Sequence, residues 1–323
     1  MKRCVAILGA NGFIGRHQIR ALLEAGHEVV ATVRSQQAAL AVPVGSTVRV
    51  VGNPHDTQCW SDTLGDCCTV IHLIGLAHAS ADAAKGQGGL FQRVNVDITR
   101  KVVDACLQAD VQRLVYVSSI KAVGEGDSGP YTENSECSPE GPYGKSKRDA
   151  EMLIQALTTG TPLSACIVRP PLVYGAGARG NLARMMSLVA GGMPLPTRCL
   201  HAQRSMVYVE NLADAIRCLV DAEQATRGTY HVVDEEPPLS TREMFRELAR
   251  HMNRHLVEIP VPGLLLRAAA SLIGMRAEAE RLTRSLVVEA TRLPVEIGWQ
   301  QPYSRREGLD EMVQAYLQAR NIR

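Results

Sequence analysis

No block of like charge runs along the sequence, and its formal net charge is only +2. The electrostatic footprint of a nucleic-acid binder is therefore missing. Also missing is any apolar run of the roughly 20 residues that a bilayer-spanning helix requires. The longest such stretch towards the C-terminal end, 261–275, is interrupted by Arg267 and predicts a buried helix. The nine cysteines form no CxxC pair, and their odd number and irregular spacing argue against a disulfide framework or a zinc site. Cys4, Cys166 and Cys218 lie inside apolar runs, where a free thiol acts as a small hydrophobe in a reducing compartment. The opening apolar run ends in glycine rather than at a cleavage site, so a cytoplasmic location is expected. Neither an internal repeat nor a low-complexity segment occurs, and no metal is expected.

Apolar residues make up 46% and charged residues 21%, the balance of an ordinary globular protein. Short, mostly continuous apolar runs at 4–9, 28–34, 47–53, 69–75, 113–119 and 163–170 predict strands buried on both faces of a parallel sheet. Helical patterns separate them: Ile19, Leu22 and Leu23 share one face ahead of Gly26, and Ala150, Leu153, Ile154 and Leu157 share another. This alternation predicts the α/β class, a doubly wound parallel sheet of Rossmann type. The second half changes character. A glycine- and proline-rich stretch, 170–204, reads as a binding loop with one helix. Residues 204–209, a helix at 210–222 and a strand at 229–233 then read as a return to the sheet. Later helices open with capping boxes at Ser240–Glu243 and Ser304–Glu307. The expected division is a dinucleotide-binding domain of residues 1–169 plus about 205–234. A smaller, mostly helical substrate domain would hold about 170–204 plus 235–323.

Gly9-Ala10-Asn11-Gly12-Phe13-Ile14-Gly15 follows the first strand and opens the first helix. Glycines at this spacing permit a tight turn, a close approach of backbone to a pyrophosphate and close helix–strand packing. The free amides and positive end of the helix then face the phosphates. At the end of the second strand an acidic residue would bond the ribose 2′-hydroxyl of NAD. Arg34 stands there instead, and its planar guanidinium suits a 2′-phosphate, so NADP is favoured over NAD.

Tyr143 and Lys147 lie four apart on a helical pattern and share a face. A tyrosine with an ordinary pKa of about 10 is a poor acid–base catalyst at neutral pH, and a neighbouring ammonium favours its phenolate. The lysine can also hold a nicotinamide ribose. Ser119 ends the strand 113–119, where doubly wound sheets bind ligands, and would hydrogen-bond the reacting oxygen and orient it for Tyr143.

Together these residues resemble the extended short-chain dehydrogenase/reductase family over nearly the whole chain. His72-Leu73-Ile74-Gly75 and Asn95-Val96-Asp97 match its further motifs, and Asn53 stands where many members carry an adenine-contacting Asp. The resemblance implies cofactor contacts from Gly9, Asn11, Gly12, Phe13, Ile14, Gly15, Asn53, Leu73, Gly75, Asn95, Tyr143, Lys147 and Pro170. The segments 117–125 and 169–175, followed by Gly180-Asn181, are similar to the sugar-nucleotide C4 reductase and epimerase branch. The nearest group reduces UDP-4-keto-6-deoxy-N-acetylglucosamine to UDP-N-acetylquinovosamine or its C4 epimer for surface polysaccharides. By the same resemblance, Asn181 and Arg281 would hold the nucleotide diphosphate, Arg204 would bind the nucleotide portion, and His78 and Lys121 would line the sugar pocket. The family's dehydratases follow the catalytic hydroxyl with Asp-Glu. Here Ile120-Lys121 follows Ser119, which argues against elimination of water.

The expected activity is NAD(P)-dependent reduction at C4 of a UDP-linked 4-keto sugar. The alternative is 4-epimerisation of a UDP-hexose, or of a polyprenyl-diphosphate sugar, with tightly held NAD. A non-catalytic NADP-binding regulator has no need of the Ser119, Tyr143 and Lys147 set. A homodimer is expected by family analogy, through the helix starting at Phe91 and the Tyr143 helix.

Overall fold

A computed structural model describes residues 2–55, 60–77, 88–126, 129–224, 226–261 and 284–321. Its main sheet has seven strands: β1 (Cys4–Leu8), β2 (Glu28–Val33), β3 (Thr47–Val50), β4 (Thr69–His72), β5 (Arg113–Val117), β6 (Ser164–Arg169) and β10 (Gly228–His231). All pairings within it are parallel, in the order β10-β6-β5-β4-β1-β2-β3. Strand order reverses between β1 and β4, which opens a crevice at their carboxyl ends. The inner strands are buried along almost their full length, as their continuous Val, Ile and Leu runs require. Edge strand β3 is mostly exposed and stops at Val50, short of the expected 53, because no neighbour covers its outer side.

The two faces of the sheet carry separate cores. On one, α1 (Phe13–Glu24) packs with the later helix α5 (Val209–Asp221), bringing Ile19, Leu22, Leu212, Ile216 and Leu219 against β1, β2 and β5. On the other, α2 (Ile98–Gln108) and α3 (Gly141–Thr158) cover Ala6, Leu8, Val70, Leu114 and Tyr116. Alternation along β5 decides which side chain meets which helix: Val115 and Val117 face the first core, Leu114 and Tyr116 the second. Buried Arg113 begins β5 and donates to the carbonyls of Leu219, Val220, Ala222 and Gln224, at 2.7, 2.6, 2.8 and 2.8 Å. It thereby satisfies carbonyls that the end of α5 leaves unpaired.

A third core lies outside the sheet. Helices α4 (Asn181–Ala190), α6 (Thr241–His251) and α7 (Arg305–Asn321) gather Leu182, Met186, Phe245, Leu248, Leu309 and Met312 around Tyr174 and Tyr208. Strand β7 (Leu172–Tyr174) pairs in parallel with β9 (Met206–Tyr208), and β8 (Gln203–Arg204) pairs antiparallel with β11 (Leu239–Ser240). Residues 203–208 thus form small sheets of their own, and the chain rejoins the main sheet through α5 and β10. The first capping box is complete: Glu243 donates its backbone amide to Ser240 Oγ, and the Ser240 amide donates to Glu243 Oε2. Among the described residues, no helix is long and apolar enough to cross a membrane.

Candidate active site

The glycine loop sits at the carboxyl end of β1, where each glycine has a distinct steric reason. Gly9 has φ +88°, and a Cβ there would stand 3.2 Å from Ile74 N and Leu73 C. A Cβ on Gly15 would lie 2.5 Å from Gly9 O and 2.7 Å from Ala10 O, so only glycine lets α1 approach the loop. Gly12 caps α1 without a side-chain acceptor, and beside it only Gly9 O stands within 4 Å of where a Cβ would be. The first-turn amides, those of Phe13, Ile14 and Gly15, are therefore left to an anion. Half-buried Asn11 completes the loop. Such a cradle, filled by any added Cβ, fits a dinucleotide pyrophosphate.

Leu73 continues β4 by donating its amide to Leu8 O at 2.9 Å. Gly75 follows, exposed, and a Cβ on it would be 3.4 Å from both Asn95 Oδ1 and Lys147 Nζ. Asn95 is fully buried in a π-helical turn, Arg93–Asp97. Its Oδ1 accepts from Leu76 N at 2.8 Å, while its amide donates to Leu76 O at 3.2 Å and to Ser146 Oγ at 2.9 Å. Ser146 in turn donates to Tyr143 O at 2.8 Å. The structure thus places Asn95 as a brace between the loop after β4 and the helix that carries Tyr143.

Ser119 lies two residues past the end of β5, half-buried, and its Oγ accepts from Lys121 N at 3.3 Å, capping the turn Ile120–Ala122. Pro170, buried just past β6, accepts from Ile120 N at 3.0 Å and pins that turn from the neighbouring strand. Gly144 packs α3 against it: a Cβ there would stand 2.4 Å from Lys121 O. Pro142 occupies the first turn of α3, where its missing N–H costs nothing. Tyr143 then meets Ser119. Desolvation pushes its phenol above the ordinary value, and a hydrogen bond with Ser119 pulls the other way.

Lys147, one turn further along α3, is 4% exposed. Its ammonium donates to Tyr116 Oη at 2.9 Å and to Val117 O at 2.8 Å. Burial pushes it down to about 7, with Glu151 opposing. Buried His72, at the end of β4, is pushed down to about 3 by burial and by Lys147, and so is neutral. Glu151 itself receives Arg169, with Nε–Oε1 at 2.9 Å and Nη2–Oε2 at 2.6 Å.

The remaining predicted residues are dispersed. Lys121 donates to both Glu125 carboxylate oxygens at 3.1 Å. Arg34 is exposed and has no partner among the described residues. Asn53 is exposed and accepts from His55 N at 3.2 Å. Asn181 is exposed at the start of α4, after Gly180 with φ +68°. Arg204, half-buried, donates to Arg284 O at 3.3 Å. Arg284 is paired with Glu140 at 2.7 and 2.8 Å and donates to Gly126 O at 3.0 Å, which ties the segment after 283 to the start of α3. His78 and Arg281 lie outside the described residues. Sequence reasoning passed over Tyr116, Thr99 and Gly144. The strand parity of Tyr116 with Leu114 was the available signal for the first. No group of three or more His, Cys, Asp and Glu side chains among the described residues could hold a metal ion.

The model of the NAD dependent epimerase/dehydratase family matches residues 5–233. The chain is 31% identical over 325 residues to a UDP-glucose 4-epimerase of Vibrio cholerae, covering 99% of this chain and 98% of that one. It is 24% identical to an N-acetyl-alpha-D-glucosaminyl-diphospho-ditrans,octacis-undecaprenol 4-epimerase of Escherichia coli O157:H7, covering 96% and 94%. In fold it is similar to the crystal structure of Thermus thermophilus UDP-glucose 4-epimerase in complex with NAD. There the TM-score is 0.79, the identity 22%, and the coverage 98% of this chain and 99% of that one.

Proposed function

Because the chain belongs to the NAD-dependent epimerase/dehydratase family, we propose that it is a sugar-nucleotide 4-epimerase working at C4 of a UDP-linked hexose. The observation that carries this reading is the contact of Tyr143 with Ser119 beyond the carboxyl end of β5, with Lys147 one turn along the same helix and bonded to Val117 O of that strand, on the same rim as the glycine cradle. Residues 1–169 with about 205–234 would hold the cofactor, and the rest of the chain would hold the sugar nucleotide. Gly9, Gly12, Gly15 and the first amides of α1 would take the pyrophosphate, and Leu73 and Gly75 would border the nicotinamide half. When bound, that nicotinamide supplies a hydride acceptor and donor.

The chain's own groups handle the proton. Tyr143 accepts the proton of the sugar C4 hydroxyl and later returns one, while Ser119 hydrogen-bonds the same oxygen and orients it. The Lys147 ammonium lowers the energy of the Tyr143 phenolate and offsets the cost of its burial. Neutral His72 adds no competing charge behind Lys147. Asn181 would bind the diphosphate, and Arg204 would bind the nucleotide portion through its permanent, bidentate charge. The Ile120-Lys121 pair after Ser119 offers no acid–base pair for dehydration.

A second reading, reduction of a UDP-4-keto-6-deoxy-N-acetylhexosamine by NADPH, is favoured by Arg34. An exposed guanidinium unpaired among the described residues at the end of β2 suits a 2′-phosphate. One experiment separates the two. Purified protein is denatured to measure released nicotinamide, and fresh protein is given UDP-glucose, UDP-N-acetylglucosamine or the 4-keto substrate with each reduced cofactor. Retained NAD and interconversion of C4 epimers without net cofactor loss support the epimerase. Stoichiometric oxidation of NADPH with the 4-keto sugar refutes it and installs the reductase.

A further inference from the structure

Lys147 has three N–H donors, and the sheet takes two of them, one through Val117 O at 2.8 Å and one through Tyr116 Oη at 2.9 Å. The backbone acceptor comes with any strand at this place. The phenol does not. Tyr116 is wholly buried, and a phenylalanine would fill the same core space without having to pair a hydroxyl. Its hydroxyl accepts from Lys147, and Thr99 stands beside it as a further polar neighbour.

Thr99 closes the chain of bonds. Its single hydroxyl proton goes to Asn95 O at 2.7 Å, so His72 Nε2, 2.9 Å from Thr99 Oγ1, must donate to it. The Thr99 oxygen thus stands ready to accept from Tyr116 as well. Lys147 thus donates to Tyr116, and behind the phenol His72 donates to Thr99 and Thr99 to the carbonyl of Asn95. His72 Nδ1 is left buried without a partner among the described residues, as a neutral ring with its lone pair there would be. Asn95 is the brace already described, so the chain ends on the residue that also holds Leu76 and Ser146.

We propose that Tyr116 is a positioning residue of this centre: its buried phenol oxygen, backed by Thr99 and His72, fixes the Lys147 ammonium and leaves one N–H of it for the ligand beside Gly75. The side at Gly75 is the open one, since that glycine is exposed and stands against Nζ with no side chain of its own. The titratable groups around Lys147 come from four elements. His72 of β4 is neutral, Tyr116 of β5 is bonded to it, Glu151 and Tyr143 share its helix, and Arg169 of β6 is already committed to Glu151. Removing the phenol oxygen withdraws a direct acceptor that none of the others replaces.

The proposal rests on the reading of Tyr143 and Lys147 as the acid–base pair, and its test separates the two. The chain has only six lysines: Lys2, Lys85, Lys101, Lys121, Lys145 and Lys147. Lysine labelled with carbon-13 at Cε therefore gives six resonances in the full-length protein, with Lys147 assigned by its loss in Lys147→Met. In Tyr116→Phe the proton affinity of Lys147 is expected to fall about tenfold, the loss of one hydrogen bond to a charged group. The other five lysines should titrate as before. Thr99→Val, which leaves the phenol in place but unbacked, should move Lys147 in the same direction by less, and it serves if Tyr116→Phe does not fold. With a turned-over UDP-sugar, the alkaline limb of kcat should move to lower pH in step with the resonance while KM changes little. A Lys147 titration unmoved in the folded variants overturns the proposal. If the resonance moves but no UDP-sugar is converted, the positioning role stands and the proposed function fails.

Discussion

Replacing Lys147 with methionine should make the protein more stable while abolishing its activity. The ammonium is 4% exposed, and burial holds it at about 7 against an ordinary 10.5. At about 1.36 kcal/mol per pKa unit, confining the charge costs roughly 5 kcal/mol of stability at most. Methionine fills a similar volume without charge, but it leaves Tyr116 Oη and Val117 O without their donor, a loss of about 1–3 kcal/mol. A net gain of about 2 kcal/mol is therefore expected at pH 7 and below. The pH dependence gives the sharper check. Between about 7 and 10.5 the unfolded wild-type chain binds more protons at this lysine than the folded one does. Its stability relative to Lys147→Met thus climbs through that window, and the advantage of the variant disappears above it. Urea unfolding of both proteins at several pH values, without added cofactor, reads the difference directly. A variant no more stable at pH 7, or one whose advantage persists unchanged above pH 10.5, would falsify this account of the buried ammonium.

Other substitutions test the remaining parts. Gly15→Ala sets a Cβ against Gly9 O at 2.5 Å and Ala10 O at 2.7 Å. Nicotinamide retention after gel filtration should fall sharply even where the circular dichroism spectrum is unchanged. Tyr143→Phe should lower kcat by about 100- to 10,000-fold with KM nearly constant, since it removes a group that acts on the proton alone. Glu151→Gln strips the carboxylate from buried Arg169 and should destabilise the fold by about 3–5 kcal/mol, seen as a lower midpoint in denaturant. An unaltered midpoint would mean that water or another acceptor reaches the guanidinium.

The parts of this protein that are contiguous in the chain are legible in its sequence. Continuous apolar runs announce strands buried on both faces, the glycine spacing announces a loop whose backbone must come close to a ligand, and the step of four from Tyr143 to Lys147 announces a shared helix face. Each is a local consequence of strand and helix periodicity. Boundaries were less legible: β3 ends at Val50, and β5 ends two residues before Ser119. The point at which a strand loses its neighbour depends on the rest of the sheet.

The sequence by itself therefore determined the doubly wound class and the candidate acid–base pair. Only tertiary structure decided the partners of that pair. Tyr116 and Lys147 are 31 residues apart, Asn95 and Ser146 51, and Glu140 and Arg284 144. No periodicity links such positions. Tyr116 and Lys147 meet because parallel strands return to the same edge after each crossover helix, bringing buried side chains from β4, β5 and α3 together. There, burial moves Lys147 far from its value in water, and burial together with the Lys147 charge moves His72.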